Sequence, residues 1–347
     1  MQDVKIERQE LIKKLFTKAF PKLWCPLLTH YKSDGTIDFE RICKHLDFIM
    51  PHCNSFLIPG STGDGWELNF EEFKSLINFI FNYAPKKEIN ILIGLLQTDD
   101  EKLKQNLKYA LEFLETKNFS PDAKDYKPSR FKGFVICPPK GKNLAQEKIK
   151  NYLENFLKLN YPVSLYQLPQ ITENEMTPET VEYLTGKYPN VFMLKDSSGE
   201  DKVAKTGLNY AGLKLIRGAE LNYSAWLKCC GGIYDGFLLS TANCFAKEFT
   251  DVIERLVQGN QDEADNISIK LTKVIGEVFK LASILPFGNA FTNANKLIDH
   301  INAYGKNHQE FPPPKTHSGI NLPKELLSKT YDLLYKNGFE IEKGYLS

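Results

Sequence analysis

Between Leu23 and Leu239 the chain alternates between two kinds of segment. Short apolar runs rich in β-branched and aromatic residues recur at Leu23–Thr29, Ser55–Pro59, Ile89–Leu95, Lys132–Cys137, Pro162–Gln167, Asn190–Lys195, Leu213–Arg217 and Gly232–Leu239. Most lack strict alternation, the pattern of strands buried on both faces in a parallel sheet. Longer segments with helical spacing lie between them. Asp38–Met50 places Phe39, Ile42, Cys43, Leu46 and Ile49 on one face. Asn69–Tyr83 opens with Asn69 as a candidate N-cap and Glu71 and Glu72 in the first turn. Asp99–Lys117 and Leu144–Leu159 continue the pattern, and Thr177–Lys187 opens with a capping threonine followed by proline.

Strand then helix, repeated eight times over roughly 230 residues, predicts an α/β fold of the (β/α)8 TIM-barrel class. A doubly wound open sheet is the rival. It usually carries a Gly-rich phosphate turn after its first strand, and T-H-Y-K-S-D-G stands there instead. Lys117–Arg130 is polar and contains proline, which predicts a surface loop before the fourth strand. After Ala246 the apolar runs stop. Helices are expected at Lys247–Gln258, Gln261–Ser283, Ala290–Tyr304 and Pro323–Lys336, with an extended stretch at Phe311–Pro314. The expected organisation is a barrel with a short N-terminal helix over residues 1–245, and a C-terminal helical extension packed on it over 246–347.

Composition narrows the function. Lys plus Arg is 44 and Asp plus Glu is 43, a net charge of +1, which argues against a general nucleic-acid binder. The seven cysteines are odd in number and contain no C-x-x-C, so free thiols in a reducing compartment are expected. The six histidines are scattered without H-x-H or H-E-x-x-H, which gives a metal site little support. The N-terminus lacks an apolar signal core, and no stretch approaches the roughly 18 apolar residues that span a bilayer. A soluble cytoplasmic protein is expected, without membrane or nucleic-acid partners.

In a (β/α) barrel the chemistry sits at strand C-termini. The sixth run ends V-F-M-L-K, which puts Lys195 at a buried strand end. Desolvation there favours a neutral amine, the form that attacks carbonyls. A lone lysine at such a position more often reaches out to solvent. Tyr166 ends the fifth run, where its hydroxyl could move protons, although a core tyrosine is the blander reading. Gly60–Gly65, G-S-T-G-D-G, follows the second run; its hydroxyls and amides suit a small carboxylate or phosphate. Ser240, Thr241 and Asn243 follow the eighth run, as pocket lining or as a helix cap.

Together these pieces resemble the dihydrodipicolinate synthase/N-acetylneuraminate lyase family, the pyruvate-type class I aldolases. P-L-L-T-H-Y-K-S-D-G-T-I-D at Pro26–Asp38 is similar to the family's opening T-P-F-x-x-D-G-x-I-D. G-S-T-G-D at Gly60–Asp64 is similar to G-[ST]-T-G-E, and Y-Q-L-P at Tyr166–Pro169 to Y-N-x-P. K-D-S-S-G at Lys195–Gly199 matches outright, and T-A-N at Thr241–Asn243 also fits. The resemblance implies catalytic Lys195 as the Schiff-base lysine and Tyr166 as the proton shuttle. It implies substrate binding by Ser61, Thr62, Ser197, Gly218, Glu220 and Ser240, with no metal or organic cofactor. It also implies a homo-oligomer, dimer or tetramer.

Departures bear on the substrate. Ile171 stands where dihydrodipicolinate synthases carry an Arg, and C-P-P-K-G replaces the P-x-Y-Y-type stretch after the fourth strand. R-G-A-E-L keeps Glu220 but has Leu221 where N-acetylneuraminate lyases have a second acid. The leading expectation is therefore a Schiff-base lyase or aldolase acting on a pyruvate-like 2-oxo acid, such as a 2-oxo sugar acid. The alternatives are a dehydratase or decarboxylase using the same lysine imine, a dihydrodipicolinate synthase-like condensing enzyme, and a non-catalytic 2-oxo-acid-binding relative.

Overall fold

The eight apolar runs form eight parallel strands: β1 (Leu23–Pro26), β2 (Ser55–Ile58), β3 (Asn90–Leu95), β4 (Phe131–Ile136), β5 (Val163–Gln167), β6 (Val191–Asp196), β7 (Lys214–Arg217) and β8 (Gly236–Leu238). Each pairs with its sequence neighbours, and β1 pairs with β8, so the sheet closes. A computed structural model describes residues 1–83, 88–117, 119 and 130–347. The loop expected at Lys117–Arg130 lies mostly outside these residues. No described helix is long and apolar enough to cross a membrane.

The helices are α1 (Gln2–Leu15), α2 (Phe39–Ile49), α3 (Phe70–Tyr83), α4 (Asp100–Thr116), α5 (Gln146–Leu157), the single turn α6 (Pro169–Thr172), α7 (Pro178–Lys187), the single turn α8 (Lys202–Lys205), α9 (Ala242–Val257), α10 (Gln261–Ala282), α11 (Ala290–Tyr304) and α12 (Lys324–Lys336). The caps expected at Asn69 and Thr177 operate, and the structure adds two more at Asp38 and Asp99. Asp38, Asp99 and Thr177 each accept from a first-turn amide, and Asn69 and Glu72 form a reciprocal capping box.

The strand–helix repeat thins at one place. Only α8 joins β6 to β7, and only the 3-10 turns Tyr223–Ala225 and Lys228–Cys230 join β7 to β8. Left-handed residues Gly207, Ala211, Gly212, Leu221, Asn222 and Gly231 interrupt these segments, which prevents a continuous helix. The long helix α10 packs over the Tyr223–Ala225 turn. Ser268 accepts from the Ser224 amide at 3.2 Å and Thr272 from the Asn222 amide at 2.9 Å.

Alternate strand residues face inward. Trp24, Leu57, Leu92, Val135, Tyr166, Met193, Ile216 and Leu238 form one buried cluster inside the barrel. The opposite faces join a larger core shared with the surrounding helices. All seven cysteines are free, and Cys25, Cys53, Cys137 and Cys244 are buried.

The N-terminal helix does more than precede the barrel. Leu15 and Phe16 at its end join the interior cluster. Arg8 is fully buried, and its guanidinium donates to the carbonyls of Thr185, Tyr188, Val191, Tyr210 and Ala211. These carbonyls lie where the chain enters β6 and β7, so α1 closes the end of the barrel opposite the strand C-termini. Burial lowers the Arg8 pKa to about 10. Replacing Arg8 with Met keeps the bulk but strands several buried carbonyls. The expected loss is about 3 kcal/mol of stability or more, read as a lower urea midpoint.

Candidate active site

Lys195 lies one residue before the end of β6 and is 3% exposed. Period-two alternation turns it inward beside Tyr166, its register partner on β5. Its Nζ lies 4.1 Å from the centroid of the Tyr166 ring. On the other side stands Gly218, just past β7. A Cβ there would fall 2.8 Å from Lys195 Cε and 2.1 Å from Ser197 Oγ, so the lysine and serine occupy space that only glycine leaves.

Burial lowers the Lys195 pKa to about 7, against smaller opposing effects from Cys137, Glu220 and Cys25. Burial also holds the Cys137 and Cys25 thiols well above their usual range, so they carry no charge near the amine. Tyr166 is pushed up by burial, while Ser61 and Ser197 hydrogen-bond its hydroxyl and act in the opposite direction. The result is an amine whose neutral form is readily populated near neutral pH, beside a neutral phenol that is linked to two serine hydroxyls.

The Gly60–Asp64 loop rises from β2 to meet this group. Ser61 Oγ accepts from Trp66 Nε1 at 2.9 Å, which leaves its own proton to donate elsewhere. Amides of Gly63, Asp64 and Gly65 close the turn on Gly60 and Ser61 carbonyls. Among the described residues, the Ser61 and Thr62 amides donate to nothing. Two adjacent unengaged amides in a turn are free to donate to an incoming acceptor. Gly63 lets the loop press on the first strand's exit, since a Cβ there would lie 2.2 Å from the Leu27 carbonyl oxygen.

The remaining predicted residues lie on the β7–β8 side. Glu220 accepts from Ser240 Oγ at 2.6 Å, the Thr241 amide at 3.1 Å, Thr241 Oγ1 at 2.7 Å and Tyr223 Oη at 3.0 Å. Its carboxylate ties the β7 loop to the β8 exit. Thr241 thus bonds Glu220, and its side chain caps nothing. Asn243 accepts from the Leu28 amide at 2.9 Å and donates to the carbonyls of Pro26 and Ser240 at 2.9 and 2.8 Å, joining the exits of β1 and β8.

Three contributors escaped the sequence reading. Cys137, just past β4, belongs to the interior cluster with Tyr166, and Trp66 packs against that cluster. The third is the buried Lys296 on α11, whose Nζ lies 2.9 Å from Asp64 Oδ2 and 3.0 Å from the Lys315 carbonyl. Tyr31 donates to the same Asp64 oxygen at 2.9 Å. A helix of the C-terminal extension therefore grips the Gly60–Asp64 loop. The signal in the sequence was faint: α11 carries polar residues around its whole circumference, yet Thr292 through Ala303 are buried.

The scattered histidines also converge. His30, His45 and Asp299 bring ligand-type atoms within 4.8 Å of one another. Their observed contacts are those of a hydrogen-bonded network. His30 Nε2 meets His45 Nδ1 at 3.0 Å, Arg41 holds Asp299 at 2.6 Å, and Tyr345 donates to Asp299 at 2.7 Å. Burial lowers both histidine pKa values, so the Arg41 guanidinium is the cation that balances Asp299.

Comparison with known proteins bears on the family and the fold. Residues 121–294 match the model of the Dihydrodipicolinate synthetase family. A 4-hydroxy-tetrahydrodipicolinate synthase from Methanococcus vannielii is 24% identical over 266 residues, 76% of this chain and 85% of the relative. Its counterpart from Wigglesworthia glossinidia brevipalpis is 25% identical over 264 residues, 75% and 80% of the two chains. Among solved structures, an E. coli K12 prophage protein of the dihydrodipicolinic acid synthase family, in complex with pyruvate, superposes with a TM-score of 0.73 at 18% identity, covering 93% of this chain and 100% of that one. A Sulfolobus solfataricus 2-keto-3-deoxygluconate aldolase variant gives 0.69 at 15% identity, covering 91% and 96%. The structural likenesses speak for the fold.

The Asp64–Lys296 pair makes its own prediction. Lys296→Met leaves a buried carboxylate without its cation and is expected to cost about 3–5 kcal/mol. Adding Asp64→Asn should recover part of that loss, because the two side chains act as a pair. Urea denaturation of the single and double variants measures the coupling.

Proposed function

This chain belongs to the dihydrodipicolinate synthetase family, and from that premise we propose that it is a Schiff-base lyase or aldolase acting on a pyruvate-like 2-oxo acid. One observation carries the reading. The Lys195 amine is buried, held to a pKa of about 7, and set against a tyrosine that relays to two serines.

In this reading the Ser61 and Thr62 amides and hydroxyls bind the substrate carboxylate, which sets the 2-oxo carbon before Lys195. The neutral amine adds to that carbon, and the carbinolamine hydroxyl takes a proton through Tyr166 and leaves as water to give a protonated imine. In the cleavage direction the C4 hydroxyl gives up its proton and the C3–C4 bond breaks. Its electron pair flows into the imine and leaves an enamine, while the C4 fragment departs as an aldehyde. Protonation at C3 and hydrolysis then release pyruvate and free Lys195. Tyr166 is too deeply buried to wait as a phenolate. It serves instead as a relay, accepting the C4 proton as its own passes to the Ser61 or Ser197 hydroxyl, whose proton moves on in turn to solvent; the same chain run backwards returns a proton where one is needed. Condensation runs the same steps backwards.

Incubation with pyruvate and borohydride, followed by peptide mass spectrometry, is expected to place a reduced adduct on Lys195. An unmodified Lys195 would sink the reading. The neutral amine gains population as pH rises through about 7, so the trapping rate should climb through that pH and level off above it. Pyruvate release from a panel of 2-oxo sugar acids then identifies the donor and separates cleavage from dehydration. Tyr166→Phe is expected to slow turnover by roughly 10²–10⁴-fold with an unchanged melting temperature; unaltered turnover would remove Tyr166 from the mechanism.

A further inference from the structure

A second cavity, of about 490 Å³, opens on the outside of the barrel between α2, the start of α9 and the C-terminal tail. Its volume falls within the range of small-molecule sites. One wall is the tail itself. The amides of Tyr345 and Leu346 donate to the Asn302 and Ala303 carbonyls at 3.0 and 2.9 Å, which pins the tail to α11. The Tyr345 ring is held from several sides: its hydroxyl donates to Asp299, Phe48 stacks on it at 4.7 Å, and Arg41 lies 5.0 Å from its centroid. The facing wall is a second aromatic pair, Phe245 and Phe339, with centroids 5.1 Å apart. Phe245 sits at a kink in α9, with φ −129° and ψ 33°.

Glu248, less than one turn beyond Phe245, also lines this cavity. The neighbouring Lys247 is turned away to Asp251 at 2.8 Å. Among the described residues, no other side chain donates a hydrogen bond to the Glu248 carboxylate. Burial correspondingly raises its pKa. The other charged groups lining the cavity, Lys247, Glu340, Lys343 and His52, are all exposed, so Glu248 is the charged group held deepest.

We propose that this cavity binds an organic ammonium compound, with its cation on Glu248 and its body between the Phe48–Tyr345 and Phe245–Phe339 pairs. An aromatic-lined space with a half-buried carboxylate that takes a hydrogen bond from its own amide and from no side chain among the described residues fits that chemical class. Ring faces attract a cation, and a single carboxylate completes the charge. A divalent metal ion would need several oxygen ligands, and an anion would be repelled by Glu248. The site is independent of the reaction assigned to Lys195.

The test is calorimetric titration of the full chain with benzylamine, in the absence of any oxo acid. Saturable binding of one molecule per chain is expected. Glu248→Gln, nearly the same shape, should weaken it roughly tenfold or more, as should replacing the ligand by the neutral benzyl alcohol. Phe339→Ala should also weaken it, while Lys195→Ala should bind as the parent does, which separates this site from the barrel mouth. Benzyl alcohol binding as tightly as benzylamine would overturn the proposal. So would undiminished binding to Glu248→Gln, or the absence of saturation by about 10 mM.

Discussion

The structure turns on a buried amine that hydrogen-bonds to no carboxylate, with Glu220 acting on it only at a distance. Lys195 is enclosed by Tyr166, by thiols that burial keeps neutral, and by glycine backbone. A fall from 10.5 to about 7 corresponds to about 5 kcal/mol of penalty on the ammonium form. The sign follows from linkage. Between those two pH values the unfolded chain binds a proton that the folded chain refuses, so this group lowers stability as pH falls through that window. Below about pH 7 both states are protonated and the penalty stays constant. The rest of the fold has to carry that burden, and the means by which it does so are visible.

Rigidity comes from both ends of the barrel. Below, α1 inserts Leu15 and Phe16 and satisfies five carbonyls through Arg8. Above, each loop that brings a polar group to the amine is tied to another element. Asp64 fastens the Gly60–Asp64 loop to α11 through Lys296, Glu220 fastens the β7 loop to the β8 exit, and Asn243 fastens that exit to β1. The C-terminal helices therefore contribute to the site although none of them enters it. One of them, α10, also covers the Tyr223–Ala225 turn between β7 and β8, where left-handed residues leave no room for a full helix.

This division explains what could be read from the sequence. The strands were legible because burial on both faces leaves continuous apolar runs, and the helices because capping residues stand at their starts. That Lys195, Tyr166 and Ser61 would come together was legible because residues at neighbouring strand ends converge in a barrel. The Asp64–Lys296 pair was not, since 232 positions separate its members and neither carries a mark of the other. The same holds for His30, His45 and Asp299, which lie far from one another until the C-terminal helix packs beside α2. Glu220 was found by its place after the seventh strand, but its four donors come from Tyr223, Ser240 and Thr241, and only folding brings these together. Local pattern predicts elements and isolated chemistry; long-range polar partners depend on topology.

The buried basic groups show why partners matter more than residue type. Lys132 donates to the Leu15 carbonyl at 2.6 Å, and burial takes its pKa to about 8. Arg8, which meets only carbonyls, is lowered to about 10. Lys296 has a carboxylate at 2.9 Å and a carbonyl at 3.0 Å, the setting of a structural ion pair. Lys195 has neither, and it is the one that burial brings to about 7. A buried lysine given an acid keeps its charge and acts as a fastener, whereas one held without a hydrogen-bonding partner loses the proton most readily. The net charge of +1 is no obstacle to a site for a small anion. Such a site needs unengaged amides and a desolvated amine in one place, and both are set by topology at the strand ends.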